Sequence, residues 1–162
     1  MRRQSILSAR SPVFRVMFQA EMAEKKTRKV EIQEFNPPTV SALLIFIYTR
    51  QTPNLEEHTE ELLMAAEKYQ LDHLKSVCDK KLCNKIEVNN CLNYLVIGHL
   101  YRADNLKKAS LQFIARNVGI VFKSKDWEEC LKDHPTLMAE VINAFARPGG
   151  GGEEVTTTKL WK

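Results

Sequence analysis

Long apolar runs are missing from this chain of 162 residues. None approaches the roughly 20 residues that a helix needs to cross a bilayer. The opening Met1-Arg2-Arg3-Gln4-Ser5 is basic but leads into no apolar signal core, so an intracellular protein is expected, nuclear or cytoplasmic. Glycine is scarce: of six, four form the run Gly149 to Gly152. That run has no strand before it and no P-loop Lys or Ser/Thr after it, which excludes a phosphate-cradling loop. Of the four cysteines, Cys78, Cys83, Cys91 and Cys130, none makes a Cys-x-x-Cys pair, and no histidine lies at zinc-finger spacing. They read as reduced, small buried hydrophobes, and no metal or cofactor is expected. A dominant charge sign is also lacking, with 24 Lys and Arg against 20 Asp and Glu. The densest basic cluster, Lys25 to Lys29, follows Glu21 and Glu24, and reads as a solvated turn rather than a nucleic-acid stripe. His58, His73, His99 and His134 lie on different elements with no Ser-His-Asp or Cys-His arrangement around them. His99, beside an apolar stripe, reads as hydrogen-bonded and partly buried. No enzyme is expected.

Helical periodicity is abundant. From Ile6 to Phe18 there are two apolar clusters, with Ser11 immediately before Pro12 between them. Serine is a preferred N-cap and proline a preferred first helical residue, so a short helix, a Ser-Pro restart and a second helix are expected. Arg28 to Ile32 alternates polar and apolar residues, as a half-buried strand does. Asn36-Pro37-Pro38 then starts a helix carrying the stripe Val40, Leu43, Leu44 and Ile47. Tyr48 to Leu55 breaks it, with room for a short extended piece.

Two further helices are marked by Leu62, Leu63, Ala66 and Tyr69, and by Leu71, Leu74, Val77, Cys78 and Leu82. Beyond Asn84 the pattern is purely helical. Cys91, Leu92, Leu95, Val96 and Leu100 share one face. Asp104 is placed to cap the next helix, on which Leu106, Ser110, Phe113, Ile114 and Val118 align. Ser124 opens a short helix containing Trp127, and Pro135 opens the last, with Leu137, Met138, Val141, Ile142 and Phe145. Short helices on short loops suggest stacked antiparallel pairs. Arg147 to Gly152 is a linker composition, and Glu153 to Lys162 has no periodicity.

The run Ile6-Leu7-Ser8-Ala9-Arg10-Ser11-Pro12-Val13-Phe14 resembles the central helical segment of BTB/POZ domains. Arg28 to Ile32, Phe46-Ile47-Tyr48-Thr49, Pro53-Asn54-Leu55 and Ala65-Ala66-Glu67-Lys68-Tyr69 resemble the same family in the same order. Within it the similarity is to the speckle-type, MATH-BTB group of adaptors for cullin-3 ubiquitin ligases. The resemblance implies a mainly α protein. Its expected parts are a lead at 1–5, an N-terminally truncated BTB/POZ core at 6–84, a BACK-like helical extension at 85–147 and a flexible tail at 148–162. It also implies that the family's first helix, its hairpin and the substrate-gripping MATH domain are missing ahead of Ile6, leaving a core less stable than a full domain.

The resemblance further implies function. Met22-Ala23-Glu24 matches the family's hydrophobic-x-Glu motif, which contacts cullin-3. A flexible apolar plug and a nearby charge suit such a contact. Glu67, Lys68 and Tyr69 match a second, polar part of that surface, although Tyr69 shares a face with Leu62, Leu63 and Ala66 and reads equally as core. Ile6 matches a position of the family's dimer interface. Val141, Ile142 and Phe145 match a second self-association face, or else cover Leu106 and Phe113. A cullin-3 adaptor or scaffold is therefore expected, self-associating or pairing with full-length BTB relatives. The rival reading is an association module in transcriptional regulation that ignores cullin. No nucleic acid and no membrane are expected as partners.

Overall fold

The computed structural model describes residues 2–24, 32–51 and 58–146. Among these described residues ten helices follow in order: α1 (Arg2–Arg10), α2 (Pro12–Glu24), α3 (Pro37–Thr49), α4 (Thr59–Lys68), α5 (Asp72–Cys83), α6 (Cys91–Leu100), α7 (Asp104–Arg116), α8 (Val118–Val121), α9 (Lys125–Asp133) and α10 (Pro135–Ala146). No strand occurs among the described residues. The alternating segment from Arg28 lies outside them except for Ile32, which is irregular, and the extended piece expected before Leu55 lies largely outside them too. So do the linker and tail from Arg147 onward.

Local chemistry explains several boundaries. Ser11 separates α1 from α2, and its Oγ accepts from the Phe14 N–H at 3.3 Å, the side-chain bond of an N-cap. Ser124 does the same for α9, accepting from the Trp127 N–H at 3.2 Å. Other starts are capped from a distance. The Glu61 carboxylate on α4 accepts from the Asn36 N–H at 2.8 Å and from the Thr39 hydroxyl at 2.5 Å, closing the start of α3. Asp104 does not cap α7. Ala103 occupies the cap position without a side-chain bond, and Asp79 on α5 supplies the acceptor instead. Asp79, 5% exposed, takes the Leu106 N–H at 2.7 Å and the Asn105 amide at 2.7 Å. A carboxylate there also faces the positive end of the α7 dipole.

The pairs α4–α5 and α6–α7 turn back in the same way. Tyr69-Gln70-Leu71-Asp72-His73-Leu74-Lys75 and Tyr101-Arg102-Ala103-Asp104-Asn105-Leu106-Lys107 are two versions of one pattern, 32 residues apart. Gln70 and Arg102 are left-handed, at φ 53° and 52°. The Leu71 N–H reaches the Ala66 carbonyl at 2.8 Å and the Ala103 N–H the Gly98 carbonyl at 2.9 Å. These are the long bonds of a Schellman turn.

Two core clusters result. The larger joins Phe14 and Phe18 of α2, Leu43, Phe46 and Ile47 of α3, the inner faces of α4 and α5, and Tyr94, Ile97 and Leu106 from α6 and α7. The smaller joins Cys91, Leu92 and Leu95 of α6 to Ile114, Val121, Trp127, Leu137, Met138 and Val141. Helix α6 therefore faces both. Of the expected stripe on it, Cys91, Leu92 and Leu95 are buried, Val96 is half-buried, and Leu100, at the helix end, is 57% exposed. His99, expected to be partly buried, is exposed and lies 3.1 Å from the Lys107 amine through Nδ1. Tyr94 links α6 back to α4: burial and its hydrogen bond to Glu60 push its phenol up to about 12.

Candidate functional site

The Ser-Pro restart does more than begin a helix. The Ser11 hydroxyl, wholly buried, donates to the Tyr69 carbonyl at 2.6 Å across 58 residues of sequence. One turn further into α2, the Phe14 ring lies parallel to the Tyr69 ring, with centroids 4.5 Å apart and 3° between planes. Phe18 continues the stack at 6.2 Å from Phe14, and Phe35 closes on Tyr69 at 6.4 Å. The start of α2 and the end of α4 are thus held by a hydrogen bond and an aromatic pair, which adds about 1 kcal/mol beyond area burial.

Tyr69 is 2% exposed. Of the two readings open to its side chain, the ring takes the core position, and it offers no surface to a partner. Burial, with a smaller opposing effect of Lys68, raises its phenol above the ordinary value. Its two neighbours stay accessible. Lys68 is exposed, pairs with Glu34, and has its amine 5.9 Å from the Tyr69 ring centre. Glu67 is half-buried and pairs with Lys75 of α5. Met22 and Glu24 fall in the last turn of α2; their side chains lie outside the described residues.

The residues expected to mediate self-association by two separate routes lie on two helices, Ile6 on α1 and Val141, Ile142 and Phe145 on α10. Ile6, on α1, is 38% exposed. At the other end of the chain, Val141 is 1% exposed and belongs to the second core. It cannot form part of an open face, and this corrects the expectation for that residue. Phe145 is half-buried, packing on Phe122 at 6.4 Å, which itself stacks on Trp127 at 4.1 Å. Of the three, only Ile142, 44% exposed, faces outward.

Sequence reasoning missed Asp79 and Glu61 as caps, because nothing within a few residues marks an acid that will serve another helix. It singled out Ser11 only for its local role. The four thiols are free, and burial is the leading cause of a raised value in each, up to about 12 for Cys78. Thiols held protonated are poor nucleophiles and poor metal ligands. No group of three His, Cys, Asp or Glu is arranged to hold a metal among the described residues, and no described helix is long and apolar enough to cross a membrane.

Among the described residues the scaffold is helical, with a Ser-Pro helix docked on the close of a later hairpin. The BTB/POZ domain model matches residues 3–86, and the chain belongs to the BTB/POZ family, whose members mediate protein–protein association. Among curated relatives, TD and POZ domain-containing protein 4 of Mus musculus is 37% identical over 145 residues, covering 88% of this chain. The chain spans 39% of that relative's length.

Proposed function

We propose that this protein is an adaptor or scaffold of a cullin-3 ubiquitin ligase of the speckle-type kind, acting by non-covalent binding. The observation that supports the reading is the lashing of α2 to the end of α4 through Ser11, Phe14 and Tyr69. It makes one rigid unit of the helix that carries Met22 and Glu24 and the helix that carries Glu67 and Lys68. In this reading Met22 enters a groove on the cullin and Glu24 fixes the register. Lys68 and Glu67 border the contact, and Tyr69 is a positioning residue beneath it. Self-association, through Ile6 and Ile142 with Phe145, or pairing with full-length BTB relatives, raises the effective concentration of weak sites on a substrate.

Capture by an immobilised N-terminal region of cullin-3 tests this. Wild-type chain is retained, whereas Met22→Asp combined with Glu24→Arg lowers retention at least about tenfold, as loss of an anchor with reversal of a charge should. Unchanged retention in the double variant removes the assigned surface. Absence of any capture of wild-type chain turns the reading toward an association module in transcriptional regulation.

A further inference from the structure

A concavity lies where the ends of α1 and α3 meet the start of α5. It has a volume of 320 Å³, near the lower end for ligand sites and enough for one large side chain. Its floor is apolar: Phe46, Ile47 and Leu71 are 5%, 1% and 6% exposed. Its rim carries two arginines and one aspartate, Asp72. Arg10 and Arg50 both line it, from α1 and from the residue that ends α3. Among the described residues neither guanidinium is paired with a carboxylate. The Arg10 group spends one N–H on the Ile47 carbonyl, which fixes it at the edge of the floor. His73 completes the wall, its ring stacked on Phe46 at 5.8 Å and 25°.

Arg50 sits at φ 57°, with its N–H on the Phe46 carbonyl at 2.8 Å. Glycine takes that left-handed position at no steric cost. Arg50, like Gln70 and Arg102, takes it as the residue that closes a helix, and here that residue lines the cavity.

We propose that this cavity binds an acidic peptide segment of a partner protein, with a large apolar side chain on the floor and an adjacent carboxylate between Arg10 and Arg50. Planar guanidinium forks match carboxylates bidentately. Asp72, also on the rim, sets the charge preferred: it tolerates a single negative charge but opposes a doubly charged phosphate. The open, exposed rim suits an extended chain passing across it. The inference is independent of the cullin reading, and none of its residues belongs to the surface assigned there.

Fluorescence anisotropy on the full chain tests it, using an end-capped fluorescein-labelled peptide with a Phe-Glu step in a Gly-Ser background. Saturable binding that weakens as salt rises is expected. Replacing the peptide Glu by Gln, or its Phe by Ala, should each weaken it about tenfold, on the scale of one charge-assisted contact or one buried ring. Arg50→Gly should weaken it similarly without lowering the melting temperature, because glycine suits the backbone there; Arg10→Gln is the companion variant. No saturable binding, equal binding by Arg50→Gly, or tighter binding of a phosphoserine peptide than of the Glu peptide would each overturn the proposal.

Discussion

The α4–α5 and α6–α7 hairpins share a turn but not a means of attachment. Both close with a tyrosine, a left-handed residue and a buried apolar residue. In both, a lysine of the second helix reaches back to the first: Lys75 to Glu67, and Lys107 to His99. The first hairpin is held by what precedes it, through the Ser11 and Phe14 contacts to Tyr69 and the grip of Glu61 on α3. The second is held by the first, through Asp79, and by closeness within itself. At position 66 the first hairpin accommodates an alanine, whereas a Cβ at the matching Gly98 would lie 2.6 Å from the Lys107 nitrogen. A repeated turn sequence fixes how two helices fold back. What sits at positions 66 and 98, and which acid reaches which helix start, decides how each pair joins the rest.

The largest expected effect falls on the joint between the hairpins. Asp79→Ala leaves the Leu106 N–H and the Asn105 amide without their acceptor in a buried place, at a cost of about 3 kcal/mol. Asp79→Asn keeps one acceptor oxygen and should lose about half as much. Urea unfolding followed by circular dichroism reads both. A loss under about 0.5 kcal/mol for Asp79→Ala would mean the hairpins are joined by packing alone.

Next comes the contrast between matching positions. Gly98→Ala should cost about 2 kcal/mol, since backbone atoms of α7 would have to yield. Ala66→Gly should cost about 1 kcal/mol, mainly through helix propensity. Equal costs, measured by the same unfolding experiment, would erase the difference in approach between the two pairs.

The smallest effect is one of pH. Hydrogen bonds, chiefly from Thr39 and then Asn36, hold the Glu61 carboxyl below its ordinary value of 4.5. A carboxyl lower in the folded than in the unfolded chain adds stability that is fully present above the unfolded value. That stability is lost as pH falls through the folded one. Wild type should therefore melt above Glu61→Gln at pH 7, and the gap should close on acidification below about pH 4.5. A gap that stays constant would show that the carboxylate charge plays no part in capping α3.

Most helices were legible because their signals are local. Of the expected stripes, Leu43 and Ile47, Leu62, Leu63 and Ala66, and Leu74, Cys78 and Leu82 are buried as their spacing demands, while Val40, Leu44 and Val77 are half-buried. Ser11 and Ser124 cap the helices that follow them. What escaped was long-range. Asp104 looked like a cap because it stands at the right place in sequence, yet Asp79, 27 residues from Leu106, does the work. Tyr69 was ambiguous because the ring that covers it belongs to Phe14, 55 positions earlier. Val141 fitted an outward face as well as an inward one until α9 and the α8 end supplied Trp127 and Val121 to enclose it.

Ser11 has a consequence for the chemistry open to this protein. Its hydroxyl sits in a Ser-Pro step on an otherwise accessible stretch of sequence, but the oxygen is sealed beneath the Tyr69 carbonyl. An enzyme that would modify it must first wait for the second helix to lift away. The rate of such a modification would then report how often that helix detaches.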